Sequence, residues 1–178
     1  QTQNWQAGYL PPTFQGTRFR STGSPVLNLE RAFEEPDNIT ELERDLIAGL
    51  DRIHLENRPG QLQLDARIAS YELAARMQLA ATDVLDITHE TKATLAMYGI
   101  GEEPTDSYGR RCLYARRLVE RGVRFVQLFI NFQIWDNHTG LEQGCRTACG
   151  RTDLPIAGLL KDLKQRGLLD STLVVWGG

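Results

Sequence analysis

The chain has 178 residues, of which 41% are hydrophobic and 24% are charged, and its formal net charge at pH 7 is −3. This length and composition are typical of one globular domain with enough apolar material for a core. The slight acidity argues against general nucleic-acid binding, no apolar run is long enough to span a membrane, and three cysteines are too few for a disulfide framework.

Residues 1–38 are predicted to form an irregular covering loop, because glycines and prolines interrupt every helical stripe. The aromatic residues Trp5, Tyr9 and Phe14 lie in this segment. They either pack against a larger body or line a substrate pocket, and packing is the commoner use of such side chains.

Residues 39–122 are predicted to be mainly helical. The first helix is expected to begin at Thr40, which forms a capping-box pattern with Glu43, and to end at Pro59. Apolar residues at helical spacing predict a second helix over residues 62–82. A short helix is expected over 88–98, before Gly99, and a third long helix over 107–121, which stops at Gly122.

Residues 123–178 are predicted to form a βαβ unit. Two nearly continuous apolar runs, 123–130 and 172–176, are typical of strands buried on both faces. Between them, a polar loop over 131–150 is expected to precede a helix that opens at Asp153 and Pro155. Two such strands would be parallel with a right-handed crossover, so the predicted fold class is α/β. The chain is expected to be truncated at both ends.

Asp136 and His138 are the candidate metal ligands. In an extended loop, positions i and i+2 point to the same side, so a carboxylate and an imidazole can converge on one divalent ion. A position beyond a buried parallel strand is where sites form in α/β sheets. In the alternative interpretation, Asp136 caps a turn and His138 is a surface histidine.

Two other groups of residues have alternatives of their own. Cys145 and Cys149 would complete a closed zinc site with the Asp136–His138 pair, or are small apolar side chains on a helical turn. Six arginines lie in or beside the helix at 107–121, where they form a solvated face or, less often, face nucleic acid or an anionic substrate; they are Arg110, Arg111, Arg116, Arg117, Arg121 and Arg124.

Characteristic segments occur at residues 4–5, 8–11, 15–17, 58–60, 66–78, 108–113, 116–126, 135–136 with 138, 152–153 and 162–170. Together they resemble a large bacterial family of uncharacterised sulfatase-like proteins in the alkaline phosphatase superfamily. The resemblance implies a partial alkaline-phosphatase-like sandwich of parallel strands with flanking helices. It also implies export to the periplasm.

The same resemblance implies a hydrolase site at which Asp136 and His138 are metal ligands, with zinc or manganese favoured and calcium possible. Asn137 departs from the family's pattern, which has a small residue or histidine there. The family's other ligands and its nucleophile lie on either side of this chain, so no catalytic residue is identified within it.

The predicted function is therefore metal-dependent hydrolysis of sulfate or phosphate esters, with an anionic ester as substrate and neither nucleic acid nor a membrane span involved. The alternative is a non-catalytic relative that serves as a carbohydrate- or partner-binding module.

Overall fold

The computed structural model describes the following residues: 16, 18–20, 36–58, 64, 68, 84–130 and 133–177. The chain divides into two compact units. The first comprises Gln1–Phe19 and Val26–Asp83, and the second comprises Arg20–Pro25 and Val84–Gly178. Asp136 and His138 belong to the second unit.

Helix α1 of the first unit spans Asp37–Glu56. The predicted helix is confirmed, but its predicted start at Thr40 is wrong, because Pro36 is the N-cap and makes no side-chain capping hydrogen bond. Proline's ring fixes φ near the helical value, here −58°, so Pro36 is suited to the start of a helix. At the other end, the Asn57 side-chain amide donates to the Ile53 carbonyl at 2.8 Å.

Two predictions fall largely outside the described residues. Most of the covering loop predicted at 1–38 does so. So does most of the helix predicted at 62–82, of which Leu64 and Ile68 are described, both as helical. The division into segments 1–38, 39–122 and 123–178 therefore stays a prediction.

The second unit contains three α-helices whose bounds are described. They are α2, Lys92–Met97; α3, Asp106–Glu120; and α4, Leu141–Gln165, which is followed by a short 3-10 turn at Leu169–Ser171. The helices predicted at 88–98 and 107–121 are confirmed as α2 and α3, and α3 ends just before Gly122 as expected.

The core of the second unit lies between α3 and α4. Its buried side chains are Tyr98, Cys112, Leu113, Leu159 and Leu163. The backbone that leaves α2 passes directly over α4 at Gly158, where an added Cβ would lie 2.4 Å from the Met97 carbonyl oxygen. Only glycine permits this approach, so the end of α2 is held against α4.

The predicted start of the last helix at Asp153 and Pro155 is wrong. Helix α4 begins twelve residues earlier, at Leu141, and Pro155 lies inside it. An internal proline loses one backbone hydrogen bond and costs about 3 kcal/mol or more in an isolated helix. The helix continues because its buried positions 148, 152, 155, 159 and 163 keep helical spacing through the proline, so burial outweighs that cost.

The predicted α/β fold class is also wrong. No strand, and hence no parallel sheet, occurs among the described residues, which are helical or irregular. The predicted strand residues Phe125 and Leu173 are 81% and 87% exposed. A strand requires backbone hydrogen bonds from a neighbouring strand. Here the Phe129 carbonyl instead accepts a hydrogen bond from Arg111 Nη1 at 2.6 Å.

Candidate functional site

Asp136 and His138 lie in the loop that leads into α4. Asp136 Oδ2 and His138 Nε2 are 3.4 Å apart, and the two side chains are 54% and 88% exposed. The two side chains therefore point to the same side and are open to solvent. Two donors this close can both reach a single divalent cation.

The loop is anchored at its centre by Asn137. Its amide nitrogen is 3.4 Å from the Trp135 carbonyl oxygen, and its side chain lies over Gly144 in the first turns of α4. A Cβ added at Gly144 would lie 1.8 Å from Asn137 Oδ1, so any other residue there would displace Asn137. Sequence analysis treated Asn137 only as a departure from a pattern; the structure gives it this packing role.

A backbone turn holds the start of the same loop. The Asp136 N–H donates to the Gln133 carbonyl at 3.1 Å. Gly140 then begins α4 as its N-cap, with φ of +64°, a left-handed conformation that favours glycine. The Asp136–His138 pair thus stands between a turn and a helix start.

Trp135, the residue before Asp136, forms a ring pair with Trp176. The two ring centroids are 5.8 Å apart and the ring planes meet at 72°, an edge-to-face arrangement. The rings remain 42% and 63% exposed. Trp176 therefore contacts the residue that precedes Asp136, although it lies far from Asp136 in the sequence.

The described residues do not supply a complete metal site. Among them, no group of three or more histidine, cysteine, aspartate or glutamate side chains is placed to hold an ion. The four-residue zinc site with Cys145 and Cys149 is therefore not formed there. Both cysteines are free thiols on α4.

A second Asp–His pair gives a useful reference. Asp86 Oδ2 and His89 Nε2 are also 3.4 Å apart, with side chains 40% and 83% exposed. However, the Asp86 carboxylate already accepts hydrogen bonds from the Thr88 N–H at 2.9 Å and the Thr88 hydroxyl at 2.6 Å. These bonds lower the pKa of Asp86. Asp86 therefore closes a local turn, whereas His138 is the side-chain partner that the described residues provide for Asp136.

Two of the four arginines of α3, Arg116 and Arg117, are used inside the second unit, in what we call the ion cluster. The cluster consists of Glu90, Arg116, Arg117, Glu120, Asp162 and Arg166. Three guanidinium groups face three carboxylates, so their formal charges cancel. The arginines of the cluster are thus paired internally instead of forming a basic surface.

Arg116 is the centre of the ion cluster and is only 2% exposed. It donates to Glu90 Oε1 at 2.6 Å and to Glu120 Oε2 at 2.7 Å. Its Nε lies 3.0 Å from Asp162 Oδ2, yet the approach is too poorly aligned for a hydrogen bond. The contact with Asp162 is therefore an ion pair with no aligned hydrogen bond.

Asp162 joins α4 to the rest of the ion cluster. Its Oδ2 accepts from the Tyr98 hydroxyl at 2.9 Å and its Oδ1 from Arg166 Nε at 2.7 Å. Burial and the neighbouring Asp162 carboxylate raise the pKa of Tyr98 far above its usual value, so the phenol remains a donor. These bonds connect α3, α4 and the end of α2.

Glu90 closes the ion cluster on the other side. Burial pushes the pKa of Glu90 upward, but hydrogen bonds from Arg117 and Arg116 outweigh burial and hold the pKa below its usual value. Sequence analysis missed Glu90 and Asp162. The sequence of α3 does contain an indication that Arg116 is buried. Arg116 lies three and four residues after the buried Leu113 and Cys112, so it shares their face of the helix.

The comparison with known proteins corrects the resemblance drawn from the sequence. One family model matches residues 1–178, and it is described as a protein of unknown function, DUF1501. No sulfatase or alkaline phosphatase family matches, so the identification as a sulfatase-like member of that superfamily is wrong. No curated protein and no solved structure matches the chain.

No described helix is both long enough and apolar enough to cross a membrane. The family match covers the whole chain, both the first unit and the second with its Asp136–His138 loop and its ion cluster. The chain therefore belongs to the DUF1501 family of proteins of unknown function.

Proposed function

We propose that the Asp136–His138 pair supplies two ligands of a divalent metal site, and that this site serves hydrolysis of an anionic sulfate or phosphate ester. The observation that carries the proposal is the 3.4 Å separation of Asp136 Oδ2 and His138 Nε2 on an exposed, anchored loop. This geometry supports the two metal ligands, and the hydrolysis of an ester is the function that we propose for them.

The donor set fits a divalent cation of intermediate softness. A carboxylate oxygen and an imidazole nitrogen suit zinc or manganese better than calcium, which prefers oxygen ligands throughout. Asp136 would contribute the negative charge, and His138 would bind as the neutral imidazole. One or two further ligands would come from outside the described residues.

The chain's contribution to the reaction would be to position these two groups. A bound divalent ion would polarise an ester oxygen and lower the pKa of an attacking group. Asn137 and the turn at Gln133 would keep the carboxylate and the imidazole on one side of the loop. The loop itself carries no lysine or arginine between residues 131 and 145. An anionic ester would therefore need the cation for its attraction to this surface.

Metal titration of matched variants tests the proposal. Zinc and manganese binding should be measured by calorimetry for the protein and for the Asp136→Ala and His138→Ala variants. Each substitution should weaken binding at least about tenfold, because it removes a direct ligand. Asp86→Ala and His89→Ala are matched controls, because they remove a pair with the same 3.4 Å separation.

The outcome that rejects the metal site is also clear. If both Asp136→Ala and His138→Ala retain full metal affinity, or if the Asp86 and His89 variants lose as much, the assignment is wrong. Hydrolysis of aryl phosphate and aryl sulfate esters, measured on the metal-loaded protein, then tests the reaction separately from the metal.

A second candidate function is a non-catalytic binding module. The observation that favours it is the exposed tryptophan pair, since exposed aromatic rings are common in recognition surfaces. This function requires no metal. Ligand binding that is unchanged by a chelator, together with no ester hydrolysis, would favour it over the first proposal.

A further inference from the structure

Two cysteines share one face of α4. Cys145 and Cys149 are four residues apart within the helix, and both are free, partly exposed thiols. Residues at this spacing are neighbours on a helix surface, with about 5–6 Å between their Cβ atoms. The two sulfur atoms extend from those Cβ atoms, so they can bind one small centre between them. The proposed metal site and the ion cluster use neither cysteine.

The surroundings of Cys149 favour an uncharged product. Burial, the carboxylate of Asp153 and the neighbouring Cys145 raise the pKa of the Cys149 thiol above its usual value, so Cys149 is protonated at neutral pH. Asp153 lies four residues beyond Cys149, and the carboxylate and both thiols therefore follow one face of α4. This carboxylate would repel a ligand that leaves negative charge on the sulfur atoms, whereas a neutral product meets no such repulsion.

The number of donors limits the ligand further. A closed zinc site takes four protein ligands. Among the residues that the structure describes, no third histidine, cysteine, aspartate or glutamate side chain joins the two cysteines in a group that could hold an ion. A trivalent arsenic centre with one organic substituent needs only two sulfur ligands, because the substituent occupies its third bond. The pair thus matches this centre in the number and the chemistry of its donors.

We infer that Cys145 and Cys149 form a dithiol site for a trivalent arsenical that carries one organic group and two hydroxides. Each cysteine sulfur forms one As–S bond and displaces one hydroxide, which leaves with the thiol proton as water. The reaction therefore consumes two thiols and one arsenical and releases two water molecules. Arsenic remains trivalent, so neither an oxidant nor a reductant is required. The product is uncharged, which suits its position beside the Asp153 carboxylate.

Titration of the native protein with phenylarsonous acid tests the dithiol site. Intact mass spectrometry should show one phenylarsenic group per chain, and competition with the small dithiol 2,3-dimercaptopropanol gives the affinity. Cys145→Ser and Cys149→Ser should each weaken binding at least about a hundredfold, because a single As–S bond loses the gain in effective concentration. Cys112, the third cysteine, is fully buried and is retained in both variants.

A matched variant separates the helical spacing from the number of thiols. Cys149→Ser combined with Gly150→Cys keeps two thiols on α4 but places them five residues apart, on different faces. The new side chain has room, because no atom lies within 4 Å of a Cβ added at Gly150. This variant should bind phenylarsonous acid at least about tenfold more weakly than the protein. In addition, phenylarsonous acid should raise the melting temperature of the protein but not that of either serine variant.

Three outcomes overturn the inference. Equal affinity in the variant with five-residue spacing would show that the helix does not position the two thiols. Binding that persists in both serine variants would assign the arsenical to other groups. An unchanged or lower melting temperature of the protein would show that folded α4 holds the thiols apart. The proposed metal site is tested separately, because Asp136→Ala and His138→Ala should leave arsenical binding unchanged.

Discussion

The second unit uses charge in two opposite ways, in the ion cluster and in the Asp136–His138 loop. In the ion cluster, Arg116 is 2% exposed and contacts three carboxylates. In the loop, His138 is 88% exposed and has Asp136 beside it. Buried charges that are fully paired have no capacity left for a ligand, whereas exposed neighbouring donors do. Charged residues therefore indicate function here only where the fold leaves them unsatisfied.

The largest expected effect follows from breaking the ion cluster. Asp162→Ala leaves the buried guanidinium of Arg116 without one of its three carboxylates. Loss of one partner of a buried ion pair costs about 3–5 kcal/mol of the free energy of unfolding. Urea denaturation followed by circular dichroism measures the change.

The control for Asp162→Ala is an exposed pair. Glu142 and Arg146 are both strongly exposed and lie four residues apart on α4. Glu142→Gln should give no measurable change in stability, because exposed pairs contribute little. If the two variants were equally stable, the ion cluster would not be what holds α3 to α4.

The next largest effect is expected from a substitution that displaces the loop and leaves the proposed metal ligands Asp136 and His138 unchanged. Gly144→Ala adds a methyl group where Asn137 lies, and overpacking of this kind costs about 1–3 kcal/mol unless the neighbour shifts. We expect the loop to shift, so metal affinity should fall roughly tenfold. Calorimetric titration with zinc measures it.

Two variants separate the loop shift from a general effect on α4. Gly150→Ala adds the same methyl group on the same helix, where no atom lies within 4 Å of it, and should leave metal affinity unchanged. Asn137→Ala should lower the affinity as well, because it removes the side chain that anchors the loop, and the double variant Asn137→Ala, Gly144→Ala should lose no more than either single variant. Additive losses would show that Asn137 is not the group displaced.

A smaller effect depends on pH. The pKa of Glu90 is lower in the folded protein than its usual 4.5, so the unfolded chain takes up the proton first as the pH falls. The stability that Glu90 provides is therefore complete above pH 4.5 and is lost as the pH falls through the lowered pKa. In Glu90→Gln, the free energy of unfolding should therefore fall less steeply below pH 4.5. The difference in slope corresponds to at most one proton that is taken up on unfolding.

Denaturation at a series of pH values, with Asp136→Asn as the control, measures this slope. An unchanged slope in Glu90→Gln would assign acid sensitivity to other carboxylates. The ion cluster would then not be the acid-sensitive part of the second unit.

The smallest effect on stability is expected where the effect on binding is largest. Asp136→Asn and His138→Gln should change the free energy of unfolding by less than about 0.5 kcal/mol, because both side chains are exposed. Thermal denaturation measures this. A loss comparable with that of Asp162→Ala would place the pair among the structural residues and contradict its proposed role.

The sequence by itself determined the local helical structure and the proximity of Asp136 to His138. Apolar periodicity located α1, and the glycines that follow α2 and α3 marked where those two helices end. A spacing of two residues in a loop was enough to bring the carboxylate and the imidazole together. Both are properties of neighbouring residues.

Only the tertiary structure decided the features that depend on distant residues. An apolar run becomes a strand only if another strand pairs with it, so the runs at 123–130 and 172–176 were misread. Pro155 remains inside α4 because Leu159 and Leu163 pack against the core. Arg116 is buried because Glu90 and Asp162, 26 residues before it and 46 after it, meet its guanidinium. No local pattern encodes such encounters, because they exist only once the chain has folded.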